Sequence, residues 1–97
     1  MKICVYAIAK NEEQFVPKWV DSMQEADGIY VLDTGSTDHT AELLRERGAI
    51  VVSETVVPWR FDTARNRSLK LVPEDTDICV CTDLDEVFRP GWRSALE

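Results

Sequence analysis

Cations, histidine and glycine are all scarce in this sequence, and each scarcity removes a class of function. Eleven Lys and Arg stand against eighteen Asp and Glu, for a formal net charge of −7. No basic stripe exists that could neutralise a phosphate backbone, which argues against nucleic acid as a partner. One small anionic ligand is still compatible with that balance, because a metal ion and a few arginines can invert the local field. His39 is the only histidine, and the three cysteines complete no set of four ligands, so a zinc centre is not expected. No apolar run approaches the ~20 residues needed to cross a bilayer. The opening residues Met1-Lys2-Ile3-Cys4 carry no long apolar signal-peptide core. An odd number of cysteines points to reduced thiols, and together these features set the expectation of a cytoplasmic protein. Cys79 and Cys81 alternate on one face of a strand pattern and Cys4 lies in another, so all three read as small buried side chains. A chain of 97 residues leaves room for one domain with one modest core.

What is present is a repeated switch between strand and helix patterns. Ile3 to Ile8 is a nearly continuous apolar run, as in a strand buried on both faces. Asn11, with Gln14 three residues on, reads as the cap of a helix whose inner face is Phe15, Val16, Trp19, Val20 and Met23. Pro17 suits the first turn of that helix. A second strand is expected over Ile29 to Leu32, then a helix capped by Ser36 or Thr37 and ended by Gly48. A third strand follows over Ala49 to Val52. Asp62 reads as the cap of a third helix, with Phe61, Ala64, Ser68, Leu69 and Val72 on one face. The last strand runs into Asp83-Leu84-Asp85-Glu86, and Pro90-Gly91 opens a short final segment. This alternation predicts an α/β domain with a mostly parallel sheet and helices on both faces. In such sheets ligands bind beyond the carboxyl ends of the strands, where the strand order reverses. Three polar clusters fall at those ends: Lys10-Asn11-Glu12, Asp33-Thr34-Gly35-Ser36 and Asp83-Leu84-Asp85-Glu86.

The acidic cluster carries the sharpest chemistry. Three carboxylates at the tip of an apolar strand repel one another and call for a compensating cation. Asp83 and Asp85, two apart, face the same way on a regular strand, and hard divalent ions suit carboxylate, water and phosphate oxygens. The plainer alternative is a solvated acidic loop. Asp33 can accept from a base or ribose donor, with Gly35 permitting a tight turn, although a good turn with a helix cap would explain the same residues. Arg65, early in its helix, can reach a diphosphate or a base, whereas Arg67 reads as a surface ion pair. Asn11 and Glu12 read first as a helix cap and its charge complement. His39 reads as a surface residue. Trp59 and Trp92 read as packing at the core edge, with stacking on a base as the other option.

Four segments in this order and spacing resemble the family 2 glycosyltransferases of the GT-A fold. They are Ala7-Ile8-Ala9-Lys10-Asn11-Glu12-Glu13, Val31-Leu32-Asp33-Thr34-Gly35-Ser36-Thr37-Asp38, Trp59-Arg60-Phe61-Asp62-Thr63-Ala64-Arg65-Asn66 and Asp83-Leu84-Asp85-Glu86. The resemblance implies a Rossmann-like GT-A half-domain that binds a nucleotide-diphosphate sugar. Under it, Ala9, Asn11, Asp33, Arg65 and Asp83 contact the donor, and Asp85 holds Mn²⁺ or Mg²⁺ bridging the phosphates. The acceptor is an unspecified glycan, lipid or protein. Inverting transfer is the family's usual outcome, with a carboxylate deprotonating the acceptor hydroxyl. Many relatives carry two acids where this chain has Asp33-Thr34. Family members also continue well beyond the second acidic motif into the part that holds the catalytic base. The expectation is therefore that residues 1–97 are a single donor-binding domain, truncated after Asp83-Leu84-Asp85, with no catalytic base of its own. An open sheet edge would allow pairing with a second copy.

Three other readings share some of these residues. Asp33-Thr34-Gly35 matches the motif of a homodimeric aspartic protease, a fold that is almost all strand and richer in glycine than four residues allow. Asp83-Leu84-Asp85-Glu86-Val87 after an apolar strand fits the nucleophile motif of haloacid dehalogenase-like phosphatases, which opens that domain and does not end it. A non-catalytic nucleotide or metal-binding module is the third.

Overall fold

Successive residues of a strand face opposite ways, so a segment apolar at nearly every position needs cover on both sides. Ile3–Ala9 is such a segment. In the computed structural model, which describes residues 1–97, it forms β1 in the interior of a four-stranded sheet. β2 (Gly28–Asp33) and β4 (Ile78–Cys81) flank it, and β3 (Ile50–Ser53) lies outside β2, giving the order β3-β2-β1-β4. Every pairing is parallel.

Helices fill the crossovers: α1 (Val16–Ser22), α2 (Thr40–Glu46) and α3 (Phe61–Leu69), with α4 (Trp92–Leu96) after the last strand. On one face, Val5, Ala7 and Ala9 of β1 and Ile29 and Val31 of β2 form a single buried cluster with Val16, Trp19, Val20, Met23 and Leu44. On the opposite face, bearing Cys4, Tyr6 and Leu32, α3 packs against β1 and β2 with Ala64 and Ser68 buried. The expected α/β architecture, parallel sheet and two-sided helical cover are all present. They leave no room for the all-strand protease reading of Asp33-Thr34-Gly35.

The path of the chain places the crevice. From β1 through β2 to β3 it steps in one direction; α3 then carries it back across the other face to the far side of β1. Strand order reverses between β1 and β4, which is where a parallel sheet opens a binding crevice. After β4 the chain passes the buried Leu84 and runs along the first face to α4. There Trp92 Nε1 donates to the Ser22 carbonyl, and the Glu25 carboxylate accepts from the amides of Gly91 and Arg93. Arg93 pairs with Asp27 at 3.0 Å and donates to the Met1 carbonyl, so this strap is anchored at the end of the sheet remote from the crevice.

Several local expectations are corrected. β4 is an edge strand, so Cys79 and Cys81, read as buried, are exposed and half-buried; only Cys4 is buried. Which side of β1 the last crossover reaches decides this, and the segment's own residues do not record it. Asn11 caps no helix: α1 starts after Phe15 with Pro17 in its first turn. Ser36 and Thr37 cap none either, since α2 starts at Thr40, whose amide and hydroxyl both bond Asp38 Oδ1. Asp62 lies inside the first turn of α3, paired with Arg60. Phe15, Phe61 and Leu69, expected to face inward, are exposed.

Candidate functional site

At the carboxyl ends of the strands lies an open cleft of about 600 Å³, within the range typical of small-molecule sites. β1 and the turn after it contribute Ile8, Ala9, Lys10 and Glu12, and Thr34 follows β2. The β3–α3 connection and the first residue of α3 add Thr55, Val56, Trp59 and Phe61; the tip of β4 adds Asp83 and Asp85. The cleft therefore joins the two sides of the reversal point.

Of the residues expected from sequence, Ala9, Asp83 and Asp85 line this cleft, while Asn11, Asp33 and Arg65 do not. Asp33 is only 2% exposed, and its Oδ1 accepts from the amides of Gly35 and Ser36 at 2.9 and 2.8 Å. That oxygen organises the turn beneath Thr34; Gly35, at φ 124°, is what permits the turn. Arg65 is held from three directions. Nη1 donates to Cys81 Sγ at 3.1 Å, Nη2 lies 3.9 Å from Asp83 Oδ1, and the guanidinium sits 4.7 Å from the Phe61 ring centroid. Its Nε is buried without a partner. The result is a cation fixed beside the acidic tip by aromatic and thiol contacts, with Asp83 as a counter-charge at 3.9 Å. Glu86 faces away from ligand duty: its Oε1 accepts from the Asp83 amide at 2.8 Å and so sets the turn that presents Asp83 and Asp85.

Excess negative charge is the electrostatic signature of the cleft. Burial holds the Glu12 carboxyl above the usual carboxylate range, and the negative charges of Asp85, Asp83 and Asp38 push it further, against a hydrogen bond from the Lys10 backbone. No group of three or more His, Cys, Asp or Glu side chains closes into a metal cage. A divalent ion here would take one or two carboxylate oxygens from Asp85 and Asp83 and the rest from water and phosphate, the habit of Mg²⁺ and Mn²⁺ at phosphoryl sites. The two acids fit that donor set.

The Glu12 environment has a measurable consequence. A carboxyl whose pKa rises on folding costs nothing while both folded and unfolded chains hold the proton. The cost grows as pH climbs through the carboxylate range and is constant above it. Glu12→Gln should therefore raise the thermal midpoint at pH 7, and the gain should shrink as the pH is lowered toward 4. A gain independent of pH would show that folding does not raise the Glu12 pKa, through burial or through its acidic neighbours.

Sequence reasoning missed most of one wall. Lys10 had no assigned role and Glu12 was read as a cap complement. Trp59 was read as core packing, yet it is half-exposed and meets Phe61 edge to face at 6.3 Å. The available signal was the connection after β3, which carries Val56, Val57, Trp59 and Phe61 close together, of which only Val56 is buried. Trp92 does pack, edge to face with Phe88, Arg67 does pair with Glu54, and His39 is an exposed residue beside Glu42.

Comparison with known proteins gives consistent results. The family model described as Glycosyl transferase family 2 matches residues 4–96. Among solved structures, glucosyl-3-phosphoglycerate synthase from Mycobacterium tuberculosis in complex with uridine diphosphate is 34% identical with a TM-score of 0.74, the match covering 89% of this chain and 34% of that one. The same enzyme with Mn²⁺ and UDP-glucose matches at 34% identity and TM-score 0.73, over 89% and 34% of the two chains. Its complex with Mn²⁺, UDP and glucosyl-3-phosphoglycerate matches at 34% identity and TM-score 0.71, over 84% and 33%. The chain thus spans about a third of the length of these structures. No helix is long and apolar enough to cross a membrane.

Proposed function

This chain belongs to glycosyl transferase family 2, and from that premise we propose that its cleft binds the nucleotide diphosphate of a sugar donor, with Mn²⁺ or Mg²⁺ held at Asp85. The observation that carries the reading is the meeting of Asp83 and Asp85 with the Ala9–Glu12 turn in one cleft at the point of strand reversal. Two acids there are poor company for a diphosphate unless a cation stands between them. A divalent ion would supply that bridge and would offset charge building on the diphosphate as it leaves the sugar.

The remaining roles follow from position. Arg65, held beside Asp83 with one guanidinium nitrogen unpaired, supplies fixed positive charge toward the phosphates or base. Lys10, the one cation lining the cleft, supplies a mobile one. Thr34, Val56 and Trp59 bring both polar and apolar surface to the cleft lining. That combination suits a planar base. Ala9, 2% exposed, allows close approach of the ligand to backbone. Because the chain spans a third of its solved relatives, donor binding is assigned to these residues, and transfer to an acceptor glycan, lipid or protein is assigned to the whole enzyme.

Calorimetric titration of uridine and guanosine diphosphates and their sugars, with and without Mn²⁺, tests the reading. The relatives crystallised with UDP favour uridine, so metal-dependent binding of UDP in preference to GDP is the expected result. A folded chain that binds neither diphosphate in the presence of Mn²⁺ would refute it.

A further inference from the structure

Asn11 has a positive φ of 52°, the only such non-glycine residue in the chain. Left-handed backbone is costly for most L residues and least so for Asn and Asp. The turn has a geometric effect: Lys10 and Glu12 line the cleft, while Asn11 between them does not. Its side chain is committed elsewhere. Oδ1 accepts from the Thr37 amide at 2.7 Å, the Thr37 hydroxyl at 3.3 Å and the Asp38 amide at 3.4 Å.

The bonds around it lace the same two loops. The Asn11 amide donates to Ser36 Oγ at 2.9 Å and the Glu12 amide to Thr40 Oγ1 at 2.9 Å. The His39 amide donates to Glu13 Oε2 at 3.1 Å, and the Thr34 amide donates to the Ala9 carbonyl at 3.0 Å. The Asp33 carboxylate holds the other end of the same loop through Gly35 and Ser36.

We infer that Asn11 is a positioning residue, not a ligand contact: it locks the turn that carries Ala9, Lys10 and Glu12 to the loop that carries Thr34. The inference rests on the donor-site reading and specifies how that site is kept in shape. Two requirements select this residue type. The position needs a left-handed backbone, which Gly also supplies, and a side-chain acceptor, which Gly lacks and Asp supplies. Asn meets both without adding a charge to a loop pair that already carries Glu12, Glu13, Asp33 and Asp38.

The test compares Asn11→Gly with Asn11→Asp in the full chain. Gly keeps the backbone and deletes the acceptor; Asp restores it. Amide hydrogen exchange at Thr37 and Asp38 reads the lock directly, and titration of UDP with Mn²⁺ reads its consequence for the cleft. The N11G chain should stay folded by circular dichroism, lose protection at both amides and bind UDP about tenfold or more weakly, the scale on which loose positioning acts. In the N11D chain, protection should return and affinity should recover to near that of the unaltered chain.

Two results would overturn the inference. One is unchanged protection of Thr37 and Asp38 in N11G. The other is weaker binding by N11D than by N11G with protection intact, since an added anion in contact with the diphosphate would do that. If the unaltered chain binds no diphosphate, the donor-site reading fails on its own. Exchange then decides the lock, which stands if the N11G amides are unprotected and falls if they are protected.

Discussion

Asp85→Asn is expected to abolish the metal dependence of nucleotide binding. Asparagine keeps the volume and one carbonyl oxygen but removes the charge that a hard divalent ion requires. Changes to groups that merely support a metal ligand cost about 10- to 100-fold, so loss of a ligand should weaken UDP binding with Mn²⁺ by about a hundredfold or more, or about 2.7 kcal/mol. Without metal the order should reverse. The unaltered chain sets Asp83, Asp85 and Glu12 around one cleft, and removing one of those charges should make metal-free diphosphate binding no worse and slightly better. Asp83→Asn should do less, because Asp83 already has Arg65 at 3.9 Å as a partial counter-charge. Titrations of both variants with and without Mn²⁺ separate these expectations. An undiminished Mn²⁺ response in the Asp85 variant removes that residue from the site.

Trp19→Ala should cost the fold itself. Trp19 is completely buried on α1, among Val5, Ala7, Val20 and Leu44. Truncating a buried Trp typically costs about 3–5 kcal/mol, against about 5–15 kcal/mol for a whole domain, with short chains near the low end. At about 4–8 °C per kcal/mol for a domain of this size, the thermal midpoint should drop by at least about 12 °C. Trp19→Phe provides the contrast. The Trp19 Nε1 is buried with no partner, and an unsatisfied buried donor costs about 1–3 kcal/mol. Phe forfeits part of the ring but removes that donor, so its net cost should be about 1 kcal/mol or less. Equal loss in the two variants would mean that the volume Phe restores does not govern the position.

These expectations rest on elements that differ in how far the sequence reveals them. The strands and their parallel pairing were readable, because Ile3–Ala9 is apolar at nearly every position and a helical pattern separates each strand from the next. The acidic tip was readable because its chemistry is local: Asp83 and Asp85 follow β4 directly. The capping assignments failed for a common physical reason. Asn11, Ser36 and Thr37 are good local hydrogen-bonding residues, and a local cap and a bond to a loop 25 positions away use the same atoms. Composition cannot tell the two apart until the loops are known to be neighbours. The edge position of β4 and the exposure of Cys79 depend likewise on where α3 delivers the chain. Trp59 was misread because an aromatic side chain beside Pro suits either a core margin or a cleft wall. The choice depends on cover that the β3–α3 connection receives at Val56 but not at Trp59.

The sheet also pairs the two of its strands that lie farthest apart along this sequence. β4 pairs with β1 through Ile3–Ile78 to Tyr6–Cys81, a separation of 75 residues along the chain, whereas β1, β2 and β3 pair in order of synthesis. Contacts between distant segments carry the largest loop-closure cost and tend to form late. An emerging chain can therefore assemble β1 to β3 with α1 and α2 while its acidic tip is still unmade, and the cleft comes into being only when β4 docks. Any ligand that spans the β1 turn and Asp85 binds across that last seam. Nucleotide and metal would then act as a folding clasp, holding shut the joint that closes last and reopens first.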